Sequence, residues 1–97
     1  MAKKRPEQAW DQCALDLGAN IQRLRMEREL SQENVAYAAG ISRYTFQKLE
    51  KGESGPDRPA NPSLRNVMAV AQVLGTTVDA LLPTEWPELR SGLPPAR

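Results

Sequence analysis

Four short segments, each opened by a hydroxyl residue and three of them closed by glycine, constrain this chain more than any other feature of it. Ser31 precedes Gln32–Ala39 and Gly40 follows. Ser42 precedes Arg43–Lys51 and Gly52 follows. Ser63 precedes Leu64–Leu74 and Gly75 follows, and Thr77 precedes a run to Leu82 that Pro83 stops. A Ser or Thr hydroxyl accepts from the orphan N–H groups of a first helical turn. A glycine just past the end takes the left-handed conformation that closes the last turn. The pattern predicts four short helices. Residues 6–28 add a longer one, because Trp10, Cys13, Ala14, Leu17, Ile21 and Leu24 recur at spacings of three and four and share one helical face. Pro6 suits its first turn. Gly18 weakens its middle by roughly 1 kcal/mol relative to Ala, which leaves open one helix or two meeting there.

The buried faces follow from the same periodicity. Val35, Ala36 and Ala39 line the second helix, Ile41 points back inward after Gly40, and Phe46 and Leu49 line the third. In the fourth, Leu64, Val67, Met68, Ala71 and Leu74 share a face. Val70 and Val73 fall outside it, so this helix is apolar nearly all round and is expected at the centre or at an interface. Residues 53–62 hold three prolines and a glycine, which forbids a helix or a central strand and reads as an irregular loop. Residues 83–97 hold four prolines yet keep Trp86, Leu89 and Leu93. The expected fold class is all-α, five helices with an extended first helix and a Pro-rich C-terminal tail. The expected divisions are 1–5 (a basic arm), 6–82 (the helical domain) and 83–97 (the tail).

Composition narrows the function. Ninety-seven residues with 40% hydrophobic and 26% charged side chains make one ordinary globular domain. No apolar run approaches the roughly 20 residues of a membrane span, and the basic start is not followed by the apolar core of a signal peptide, so a cytoplasmic protein is expected. The chain has no histidine and one cysteine, Cys13. Histidine-based acid–base or nucleophilic catalysis is therefore out of reach, as are a disulfide within the chain and a thiolate zinc site. The six glycines stand apart and form no phosphate loop. No enzyme, metal site or cofactor is expected, and a binding function remains. Residues 1–52 carry a charge of +2 and residues 53–97 a charge of −1, a weak basic bias against the clearly basic balance of many nucleic-acid binders.

The stretch Gln32–Lys51, reading QENVAYAAGISRYTFQKLEK, is the informative one. A small residue, Ala36, allows a close helix crossing, and Gly40 allows a turn with positive φ. Apolar side chains at 35, 39, 41, 46 and 49 hold the two helices at a steep angle. This is a helix-turn-helix unit, whose second helix fits the major groove of B-DNA.

The chain here resembles the Cro/lambda-repressor-like, or Xre-type, helix-turn-helix regulators, from about Leu17 to Leu82. The resemblance is carried by IQRLR at 21–25, LSQE at 30–33, AGIS at 39–42, KLEKG at 48–52, PSL at 62–64 and AQVLG at 71–75, in order and near the usual spacing. It implies that Gln32 contacts phosphate and braces the recognition helix, and that Ser42, Arg43, Tyr44 and Lys48 face the groove. Arg and Lys are the usual partners of guanine O6 and N7, which suits Arg43 and Lys48. Tyr44 could pack on a thymine methyl or reach phosphate, and Gln47 lies on the same side. Ser42, Arg23, Lys51 and Arg58 are the further phosphate candidates. The plain alternative for each is a solvated surface residue. The family pattern also pairs Arg25 with Glu50 as a structural, partly buried ion pair.

Three departures stand out. The 53–62 loop is about six residues longer than the compact family version, Phe46 stands where Ile or Val is usual, and the first helix begins two or three turns early. Trp10, Val70, Val73, Trp86, Leu89 and Leu93 need covering, either by the tail folding back on the first helix or by a two-fold dimer. The resulting expectation is a sequence-specific repressor acting as a homodimer on a palindromic double-stranded DNA site. An antitoxin that masks a toxin and regulates its own promoter, or a protein-interaction module without DNA affinity, are the alternatives.

Overall fold

The computed structural model describes residues 6–90. The basic arm expected at 1–5, Leu93 and the last residues of the tail lie outside the described residues. Helix α1 (Pro6–Glu27) runs unbroken through Gly18, so the two-helix alternative is dismissed. Gly18 is instead where α3 (Arg43–Lys51) crosses it. A Cβ at this position would lie 2.8 Å from the Leu49 carbonyl oxygen and closer still to that of Glu50. The helices touch backbone to backbone, which only glycine permits.

Helix α2 (Gln32–Ala39) opens on the Ser31 hydroxyl, which accepts from Asn34 N–H, and α3 opens on Ser42, which accepts from Thr45 N–H. Gly40 and Gly52 close them at φ of +73° and +81°. Helix α4 (Leu64–Val73) is capped by Ser63, and α5 (Val78–Leu81) by Thr77. Asn20 of α1 donates to the Leu81 carbonyl at 2.8 Å and ties the last helix to the first. The core gathers Leu17, Ile21, Val35, Ala36, Phe46, Leu49, Val67, Val70, Leu74 and Leu81 between these helices.

Two expectations need correction. Residues 53–62 are not wholly irregular: β1 (Glu53–Gly55) and β2 (Arg58–Pro59) pair antiparallel, with Glu53 opposite Pro59 and Gly55 opposite Arg58. Prolines are admitted because a two-stranded ribbon is all edge, where a missing N–H costs no ladder bond. Pro56 and Asp57 make the turn, Asp57 at φ +56°, and Ser54 donates its hydroxyl to the Pro59 carbonyl at 3.2 Å.

The buried face of α4 is also rotated from the expected one. Leu64 and Met68 are 67% and 48% exposed, while Val70 is fully buried in the core and Val73 packs against it. Val67, Val70, Ala71 and Leu74 form the inward stripe; Val70 is wholly taken up by the core, whereas Val73 is only partly buried. Both candidate stripes have helical spacing, so periodicity could not choose between them.

Candidate nucleic-acid interface

The third helix presents its candidate side chains outward because its opposite side is packed into the protein. Phe46, Leu49 and Glu50 are buried, which leaves Tyr44, Gln47, Lys48 and Lys51, at spacings of three and four, along the outward stripe. Arg43 stands exposed at its start. Among the described residues, Arg43 has no hydrogen-bond or ion-pair partner, so its guanidinium is free to meet a base edge or a phosphate. Tyr44 is 66% exposed, and the Lys48 ammonium sits 4.1 Å from its ring centroid. Such a cation–π contact is worth about 0.5–1 kcal/mol at a wet site and holds the two side chains as one unit.

The phosphate candidates fall into different positions. Ser42 is committed to the cap, since its oxygen accepts from Thr45 N–H and its O–H donates to Thr45 Oγ1 at 2.8 Å. Arg23 lies on α1 against Glu27 at 3.5 Å, and Lys51 faces Glu53 at 3.8 Å. Both are exposed pairs that contribute at most about 1 kcal/mol and leave the cations available. Arg58 is on the hairpin, whose β1 and turn flank α3. Glu53, Ser54, Gly55 and Pro56 wall one side of a groove whose other side is Tyr44, Gln47, Lys48 and Lys51. The loop reading of 53–62 hid this groove, because a proline-rich stretch carries no strand signal.

Beneath the surface, Arg25 and Glu50 meet in a bidentate pair. Nε donates to Oε2 at 2.7 Å and Nη2 to Oε1 at 2.9 Å, while Nη1 reaches the Leu30 carbonyl at 2.9 Å. Their side chains are 13% and 3% exposed. The hydrogen bond to Glu50 raises the Arg25 pKa further above its high ordinary value, against the opposing effect of burial. Gln32 joins them by donating Nε2 to Glu50 Oε1 at 2.8 Å, and Gln47 donates Nε2 to Gln32 Oε1 at 3.3 Å. A continuous polar chain therefore runs from α1 through α2 to the outward face of α3. The two glutamines were singled out separately in the sequence, but nothing in residue order links positions 32, 47 and 50.

The side chains assigned to oligomer or tail packing divide. Trp10 faces the hairpin, its indole N–H donating to the Ala60 carbonyl at 2.9 Å. The early turns of α1 thus brace the insertion after α3. Residues 83–87 lie across a cleft from Ala9, Gln12, Cys13 and Asp16 of α1. Trp86 is 76% exposed and Leu89 49%. No helix among the described residues is long and apolar enough to cross a membrane.

The family model for the helix-turn-helix domain matches residues 16–83. The chain belongs to that helix-turn-helix family. This helix-turn-helix protein is 34% identical over 70 residues to an uncharacterized HTH-type transcriptional regulator, y4dJ, of Sinorhizobium fredii, a match covering 71% of this chain and 83% of the relative. It also superimposes on the restriction-modification controller protein C.AhdI of Aeromonas hydrophila with a TM-score of 0.61 at 28% identity, covering 70% of this chain and 94% of the other. These matches support the Cro/lambda-repressor-like class and a DNA-binding transcription regulator. The α1 start before residue 16 lies outside the matched span, and Trp10 with it.

Proposed function

We propose that this helix-turn-helix protein represses transcription by binding a palindromic double-stranded DNA site as a homodimer. The carrying observation is the outward stripe of α3, where Arg43, Tyr44, Gln47, Lys48 and Lys51 stand together on a helix capped at both ends. Arg43 and Lys48 supply the donors that guanine O6 and N7 accept. Lys51 closes that stripe as a phosphate contact, with Arg58 on the hairpin and Arg23 on α1 as outer ones. Gln32, at the start of α2, offers a phosphate its first-turn backbone N–H, since its side-chain amide is turned to Glu50 and Gln47. Residues 1–5 act as a basic arm on the same duplex. The exposed Leu64 and Met68 of α4, with Trp86 and Leu89 of the tail segment, supply apolar surface for a second copy. A two-fold dimer places the recognition helices about 34 Å apart, one turn of duplex, and a site so occupied is closed to other proteins.

Selection of bound sequences from a random duplex library, followed by titration at several salt concentrations, tests this reading. The expected result is a two-fold symmetric site and a steep loss of affinity with salt. Arg43→Ala should lose about 1–3 kcal/mol with relaxed preference at one base pair of each half-site. No salt-dependent binding at low ionic strength would refute DNA recognition, and a monomer by sedimentation both free and on DNA would refute the dimer.

A further inference from the structure

We infer that Glu50 is a positioning residue that sets the hydrogen-bond polarity with which Gln47 meets a base. The inference rests on the DNA-binding reading above and adds to it a source of specificity that never touches the duplex. A carboxylate offers lone pairs only. Glu50 is paired with the Arg25 guanidinium through both oxygens, and Oε1 also faces Gln32. Gln32 must therefore turn its NH2 group inward and its carbonyl oxygen outward. That oxygen can only accept, so Gln47 must in turn present its own NH2 group to Gln32.

The consequence appears at the surface. One N–H of Gln47 is engaged; with the hydrogen trans to the carbonyl given to Gln32, Oε1 and the cis N–H remain together on one edge of the amide plane for an outside partner. That edge is the acceptor–donor pair that matches adenine N6 and N7 in the major groove. The opposite sense, with the Gln47 carbonyl turned to Gln32, would leave an edge of donors only, suited to guanine or phosphate. An unanchored glutamine has a broad terminal torsion and passes between the two senses readily. Gln47 occupies the outward stripe of α3 beside Lys48 and lines the groove shared with the hairpin, which places its free edge among the other candidate base contacts.

The test compares base preference in selected sites for the wild type, Gln47→Ala and the double variant Arg25→Met/Glu50→Leu. Replacing a buried ion pair by apolar residues of similar size is commonly tolerated, and thermal melting checks the fold. The wild type should prefer adenine at one position of each half-site by roughly ten- to hundred-fold. Gln47→Ala should abolish that preference. The double variant should lose the same preference while those at other positions remain, a split that a merely structural role for Glu50 would not produce.

A folded double variant that keeps the adenine preference overturns the inference. So does a Gln47→Ala variant with an unchanged site, although DNA recognition by Arg43 and Lys48 would then stand. Side-chain amide hydrogen exchange in the DNA-free protein gives an independent measure, whether or not the double variant folds. The Gln32 and Gln47 NH2 groups should each show a slowed proton, and Gln32→Met should release the one on Gln47. Unprotected Gln32 and Gln47 amides in the wild type overturn the relay. Absence of any duplex binding with both amides protected overturns only the base-reading consequence and the proposed function beneath it.

Discussion

Replacing Gly18 by alanine separates local helix energetics from tertiary packing, because the two predict opposite signs. Taken alone, a mid-helix glycine costs roughly 1 kcal/mol relative to alanine, so Gly18→Ala should stabilise α1. In the folded protein the new methyl group meets three backbone atoms at the end of α3: the Leu49 carbonyl oxygen at 2.8 Å, the Glu50 carbonyl carbon at 2.9 Å, and the Glu50 carbonyl oxygen nearer still. No side chain can swing aside there, so α3 itself must move. Overpacking of this kind costs about 1–3 kcal/mol, and contact with backbone alone puts this site at the upper end. Against the propensity gain, the net loss is about 2 kcal/mol, or about 10 °C in melting temperature for a chain of this size. Urea denaturation monitored by circular dichroism reads it directly. A Gly18→Ala protein as stable as the wild type, or more so, would refute the close crossing, and with it the reason that α3 lies where it does.

Other perturbations test the remaining joints. Trp10→Phe keeps the ring and removes the N–H, so it should cost about 1 kcal/mol and speed amide exchange selectively in residues 53–60; unchanged exchange there would show that α1 does not brace the hairpin. Glu50→Ala strands the Arg25 guanidinium and should cost about 3–5 kcal/mol, whereas Arg25→Met/Glu50→Leu should lie much closer to the wild type; equal losses in urea denaturation would contradict the pairing. Burial first, and Asp16 second, push the Cys13 thiol above its ordinary value of 9.0. The unfolded chain then gives up that proton at lower pH than the folded one, so the thiol's contribution to stability holds below about pH 8 and declines as pH rises through about 9 and beyond. Cys13→Ala should remove that part of the alkaline decline, and identical profiles for the two proteins would count against a buried thiol.

What residue order determined by itself is the local part of the structure. Ser31, Ser42, Ser63 and Thr77 start helices in the protein as in the sequence, because a cap hydrogen bond spans only three residues and owes nothing to distant chain. The apolar spacing at 10–24 led to the first helix and that at 35, 39, 41, 46 and 49 to the helix-turn-helix unit, while the family pattern implied the Arg25–Glu50 pair, which the structure brings to 2.7 Å. Questions of which face, and against what, were settled only in three dimensions. Two stripes of α4 satisfied the same periodicity, and packing against the rest of the core chose the one containing Val70. Trp10 was one large apolar residue with no visible partner until the hairpin carried the Ala60 carbonyl to it, 50 residues away. Gly18 looked like a weakness in α1 because propensity counts a helix by itself; the crossing of α3 makes it a requirement. Long-range contact adds terms as large as the local ones, and no spacing along the chain records them.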